Sequence, residues 1–160
     1  MHAQDILNFW FTELSDRQRF GKDAALDQAM RERFGPVLEA AARGELWLWR
    51  DSAPGRLAEI VVLDQFSRNI YRDTPQSFAQ DAQALTLAQE LGARGLDQSL
   101  PLVQRSFAYM PYMHSESLTI HEQAAQLFAQ AGLEGTLAFE HKHQAILVRF
   151  GRYPHRNAIL

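Results

Sequence analysis

The chain has 160 residues, the length of one domain that can bury a sizeable core. Hydrophobic content of 46% and charged content of 22% are those of a globular protein, and a net charge of -3 leaves no electrostatic footprint for nucleic acid. Cysteine is absent, which excludes disulfides, thiolate catalysis and zinc–thiolate sites.

The opening Met1-His2-Ala3-Gln4-Asp5 has no basic region, and Asp5 and Asn8 interrupt the apolar stretch behind it, so it does not read as a signal peptide. No run reaches the roughly twenty apolar residues that a spanning helix needs. A cytoplasmic protein with no membrane partner is the expectation.

From Ile6 to Leu14 the apolar residues line one helical face. Asp23 is placed to cap a second helix carrying Leu26, Met30, Phe34, Val37 and Leu38 and fading at Gly44. Pro36 is placed to kink or divide it. Ser52 and Pro54 can open a third helix through Leu57, Ile60, Val61 and Leu63 to Phe66. Thr74-Pro75 reads as N-cap and first position of a fourth, with Phe78, Ala82, Leu85, Leu87 and Leu91 on its face and Gly92 or Gly95 at its end.

Pro101 starts a short helix with Leu102, Val103, Phe107 and Tyr109, and Pro111 is expected to disturb its end. A further helix holds Leu118, Ala125, Leu127 and Phe128 and stops at Gly132, with Ser115 or Thr119 as its cap. The last carries Leu137, Phe139, Ile146 and Phe150 and ends on Gly151. No segment alternates as a strand does. The expected fold is all-α, a single domain over residues 1–160 with six to eight helices. Helical hairpins pair residues 57–66 with 78–91 and 118–131 with 137–150.

Three polar segments interrupt this apolar frame. Asp64 follows Ile60-Val61-Val62-Leu63 and precedes Phe66, so it is expected to be buried and paired, with Arg68 one turn onward as first partner. Tyr109 to Glu116 brings His114 and Glu116, and a His–Glu pair can do acid–base work. Arg149 to Asn157 gathers Arg149, Arg152, His155, Arg156 and Asn157 around Gly151 and Pro154. Arginine is the planar donor for carboxylate and phosphate. Helix termination accounts for part of that run, and internal ion pairing is the competing explanation for the rest. His114 and His121 are seven apart and His141 and His143 two apart, neither a zinc pattern. With no phosphate loop, GxGxxG or serine elbow, no cofactor is expected.

Four ordered stretches resemble the bacterial family called domain of unknown function 924, whose fold is similar to tetratricopeptide-like helical repeats. They are Leu63 to Arg72, Phe78 to Ala82, Arg105 to Glu116 and Arg149 to Asn157. Weaker matches lie at Leu7 to Phe11 and Arg31 to Phe34. The family usually has proline where Ser67 stands, and its members usually continue past Leu160 with more helix. The resemblance implies a fold and brings no activity with it. The candidate ligand-binding set is then Asp64, Arg68, Asn69, Arg105, His114, Glu116, Arg149, Arg152, His155, Arg156 and Asn157. The expected ligand is a small anionic molecule or a peptide carboxylate. A hydrolase using His114 and Glu116 is the alternative, and a purely structural polar network is the other. The three segments are expected to meet, with guanidiniums outnumbering carboxylates.

Overall fold

The computed structural model describes residues 1–160 and is helical throughout, with no strand. Eight helices follow in order: α1 (residues 3–13), α2 (Asp16–Phe20), α3 (Ala24–Ala42), α4 (residues 53–70), α5 (Asp81–Ala93), α6 (Leu102–His114), α7 (Leu118–Phe128) and α8 (Glu134–Phe150). Short 3-10 turns at Trp47–Asp51, Pro75–Phe78, Leu96–Ser99 and Pro154–Arg156 fill the links. No helix is long and apolar enough to cross a membrane.

The middle of the molecule is α4. Ser52 caps it, its hydroxyl accepting from the Gly55 amide at 3.0 Å, and residues 55–67 are all buried. A helix buried on every side has to be surrounded by others. Here α1, α3, α5 and α6 pack around it, and α6 also meets α7 and α8. Phe9, Trp10, Phe34, Phe66 and Phe107 pack ring to ring where α1, α3, α4 and α6 meet, with centroids 4.7 to 5.9 Å apart. α7 packs on α8 and α4 on α5, the two pairings expected.

Local signals misplace four boundaries. Pro36 and Pro111 lie inside unbroken helices. Each removes one backbone bond, and the buried side chains around them, Phe34, Val37 and Leu38 or Met110, Tyr112 and Met113, hold the helix through the gap. Thr74-Pro75 opens only a 3-10 turn, because the Thr74 hydroxyl donates back to the Tyr71 carbonyl and caps nothing; α5 begins at Asp81. Ser117 caps α7, accepting from Ile120, in place of Ser115 or Thr119.

Candidate functional site

Asp64 lies on a π-wound stretch of α4, Val62–Phe66, and has no solvent exposure. A carboxylate in that position must be met by donors. His114 Nδ1 donates to it at 2.7 Å, Gln65 Nε2 at 3.0 Å and Arg68 Nη1 at 3.3 Å. Arg68 also grips Asp81 of α5 with both terminal nitrogens, at 2.8 and 3.0 Å. Burial pushes the Asp64 carboxyl up. The charges of His114 and Arg68 and the bonds from His114 and Gln65 outweigh it and hold the group below the ordinary carboxylate value. With Nδ1 committed to Asp64, the free nitrogen of His114 is Nε2.

The chain after α8 returns to this point. Gly151 ends the helix in the left-handed region, φ 70°, a conformation glycine adopts without strain. The Tyr153 amide then donates to Glu116 at 2.7 Å. Arg156 donates to Glu116 at 3.3 Å and to the His114 carbonyl at 3.0 Å, and lies 4.0 Å from Asp81. Its guanidinium sits over the rings of Phe78 and Tyr153, 4.4 and 4.9 Å from their centroids. The three polar segments therefore meet, with Asp81 as the link that the sequence had not singled out.

Beneath them lies a second buried network. The Tyr153 hydroxyl donates to the Met113 carbonyl at 2.6 Å. His121 Nε2 donates to the Ser115 carbonyl at 2.6 Å and to the Tyr153 oxygen at 2.9 Å, and Nδ1 donates to Glu140 at 2.7 Å. Both ring nitrogens face acceptors, so His121 is an imidazolium. Burial lowers its pKa, but the Glu140 carboxylate and the Ser115 carbonyl raise it further, and the net shift is upward.

Above the network a cavity of about 410 Å³ opens between Lys22, Arg68, Arg72, His114, His155 and Arg156, with Asp73 the one carboxylate in its wall. The guanidiniums are more committed than their number suggests. Arg72 is held by Asp27 at 2.6 Å, Arg68 by Asp64 and Asp81, and Arg156 by Glu116. The expected surplus of guanidiniums over carboxylates does not hold, because Asp27 and Asp81 arrive from α3 and α5 and were not counted. What remains free is Lys22, the buried and unpartnered Nε of Arg156, and histidine nitrogens. Burial and the neighbouring Arg68 charge lower the Arg156 pKa; burial and Arg156 do the same to His155. Both shifts come first from burial and second from a neighbouring guanidinium. A second cavity, about 520 Å³, lies on the other side of His114 and His143 and is walled by Phe20, Met110, Met113 and Phe139. No group of three or more His, Asp or Glu side chains is placed to hold a metal ion.

The family model for a bacterial protein of unknown function (DUF924) matches residues 6–160. The chain belongs to the DUF924 family. A protein of unknown function from Agrobacterium tumefaciens, ATU0120, has a similar structure, with a TM-score of 0.92 at 39% identity over 98% of this chain and 88% of that one. No curated protein matches.

In this DUF924 chain the candidate residues divide. Asp64, Arg68, His114, Glu116 and Arg156 join in one network, and His155 stacks on Tyr153 at the cavity wall. Asn69 is buried one step away, donating to Asp27 at 2.9 Å. Arg105, Arg149, Arg152 and Asn157 are not brought to the cavity. Arg105 bonds the carbonyls of Asp97, Gln98 and Leu100 and the Gln130 side chain. Arg149 is exposed over Phe150, and Arg152 bonds Asn157 on the surface. The carboxylate on the His114 ring is Asp64 and not Glu116. Lys22, Arg72, Asp81, His143 and Tyr153 were missed as members. Arg72 and Asp81 lie within stretches that carry the DUF924 resemblance, His143 is one of the two histidines that the spacing puts on different helix faces, and Lys22 gave no signal.

Proposed function

We propose that the chain binds a small anionic molecule in the cavity bounded by Lys22, Arg68, Arg72 and Arg156. The observation that carries this reading is a cavity whose wall holds four cationic side chains and one carboxylate, Lys22 among the cations with no ion-pair partner. An oxyanion in the cavity would meet charged donors along that wall. The cavity volume falls in the range of small-molecule sites, about 300–1,000 Å³. A peptide carboxylate would use the same donors. The scaffold in this reading is a repeat-like stack of helical hairpins in a cytoplasmic protein.

Thermal-shift titration with inorganic phosphate, sulfate and a panel of carboxylates tests it, since a ligand stabilises the state it binds. A concentration-dependent rise in Tm that Arg156→Met and Lys22→Met both diminish is the expected result. No rise with any anion would remove the reading.

The His114–Asp64 pair favours one second reading, acid–base catalysis on the bound molecule. A buried carboxylate orients the imidazole by Nδ1 and leaves Nε2 for a proton transfer. Hydrolysis of phosphate or carboxylate esters that is lost in His114→Gln and kept in Glu116→Gln would support it.

A further inference from the structure

The two cavities that share His114 and His143 differ sharply in chemistry. One is walled by Lys22, Arg72 and Arg156. The other has buried Met110 and Met113 as its floor and Phe20 and Phe139 as its rim, with the two phenylalanines 67% and 59% exposed. Exposed aromatic rims over a methionine floor are an unpartnered apolar surface in water. Methionine adapts its shape to varied apolar groups. The shared wall is polar: His114 Nδ1 is held by Asp64, and His143 Nδ1 donates to the Phe139 carbonyl at 2.8 Å. Each ring therefore keeps its Nε2 without a protein partner.

We propose that the ligand is an amphipathic anion, with its carboxylate or phosphate among Arg156, Lys22 and Arg72 and its acyl or aryl group against Met110, Met113 and Phe139, crossing between His114 and His143. The proposal rests on the anion-binding reading above and adds the chemical class. Charge complementarity decides between occupants. A purely apolar partner would leave the cationic cavity unused, and an inorganic anion would leave the methionine floor uncovered. In a neutral ring that donates from Nδ1, as His143 does, Nε2 is an acceptor, so the crossing suits a hydroxyl group next to the head group. Burial lowers the His143 pKa, which keeps that ring neutral and compatible with an apolar neighbour.

Isothermal titration calorimetry with acetate, octanoate, inorganic phosphate, octyl phosphate and octanol tests the class. Octanoate is expected to bind at least about tenfold more tightly than acetate, since each buried methylene is worth about fourfold. Octyl phosphate should exceed phosphate likewise, and the stronger of the two pairs identifies the head group. Octanol should bind weakly. Thr136→Trp, which places an indole in the apolar cavity, should bring the octanoate-to-acetate ratio toward one. Phe139→Ser, at a rim position with little core packing, should lower the same ratio and serves where the tryptophan variant fails to fold. If acetate or phosphate binds and the tail adds nothing, the amphipathic class is wrong while the anion reading stands. Octanol binding as tightly as octanoate, with Arg156→Met making no difference, would overturn both. A concentration-dependent dimer that Phe139→Ser dissolves would show that a second copy covers the apolar cavity, and would overturn the proposal.

Discussion

Asp64 and His121 are both buried in ionised form, and their stability contributions run in opposite directions with pH. The Asp64 pKa is lowered on folding, so its contribution is present above the unfolded value of about 3.9 and is lost as pH falls through the folded value. The His121 pKa is raised, so its contribution is complete below about 6.5 and is lost as pH rises through the folded value. Chemical denaturation across pH should therefore show a decline on the alkaline side that His121→Gln abolishes. The same substitution should cost about 3–5 kcal/mol at pH 6, because it strands Glu140, whose other oxygen already lacks a partner. Asp64→Asn should cost about 1–4 kcal/mol and flatten the acid limb. Ser67 is the reverse case. Its buried hydroxyl has no partner, so Ser67→Ala should be neutral or stabilise by up to about 1 kcal/mol in the same measurement.

At the scale of elements, helices were readable where their caps and faces agree. Ser52 at α4 and Gly151 after α8 act as their sequence context indicates. Where signals conflict, packing decides, and Pro36 and Pro111 are carried inside helices because their neighbours are buried on the core side. Arg105 belongs at this scale as well. Its guanidinium ties the Leu96–Ser99 turn to α6 and to Gln130 after α7 through four acceptors. Arg105→Met should destabilise by about 2–3 kcal/mol, the worth of hydrogen bonds to a charged group. It should leave anion titrations unaltered once the folded fraction is matched. A change in anion affinity at full folding would place Arg105 in the site after all.

On the scale of the molecule, α4, α5, the link between α6 and α7 and the segment after α8 are joined by the chain Asp64–Arg68–Asp81–Arg156–Glu116. Residues in one ionic network couple, whereas distant ones add within about 0.5 kcal/mol. A double-mutant cycle of Asp64→Asn with Arg156→Met should give a coupling of about 0.5–3 kcal/mol, and the cycle of Asp64→Asn with Arg105→Met one near zero. Additivity in the first cycle would mean that the two ends of the chain are independent, and a shared site would lose its physical basis.

The all-helical class, the apolar faces of seven of the eight helices and the burial of Asp64 beside Arg68 were legible in the residue order, because helix periodicity and i,i+4 pairing are local; α2 buries no residue and left no such face. So was the meeting of three polar segments, each of which needed partners that its own neighbours did not provide. The identity of those partners was not. Asp27 and Asp81 sit on ordinary amphipathic helices, and nothing in their spacing distinguishes them from surface carboxylates; only the packing of α3 and α5 on α4 turns them inward onto Arg72 and Arg68. The same packing gives His114 to Asp64 and Glu116 to Arg156, and leaves Arg149 and Arg152 in solvent. The two cavities are likewise a property of the tertiary arrangement, since Phe20, Met113 and Phe139 come from three separate helices and share a wall only once those helices are in place.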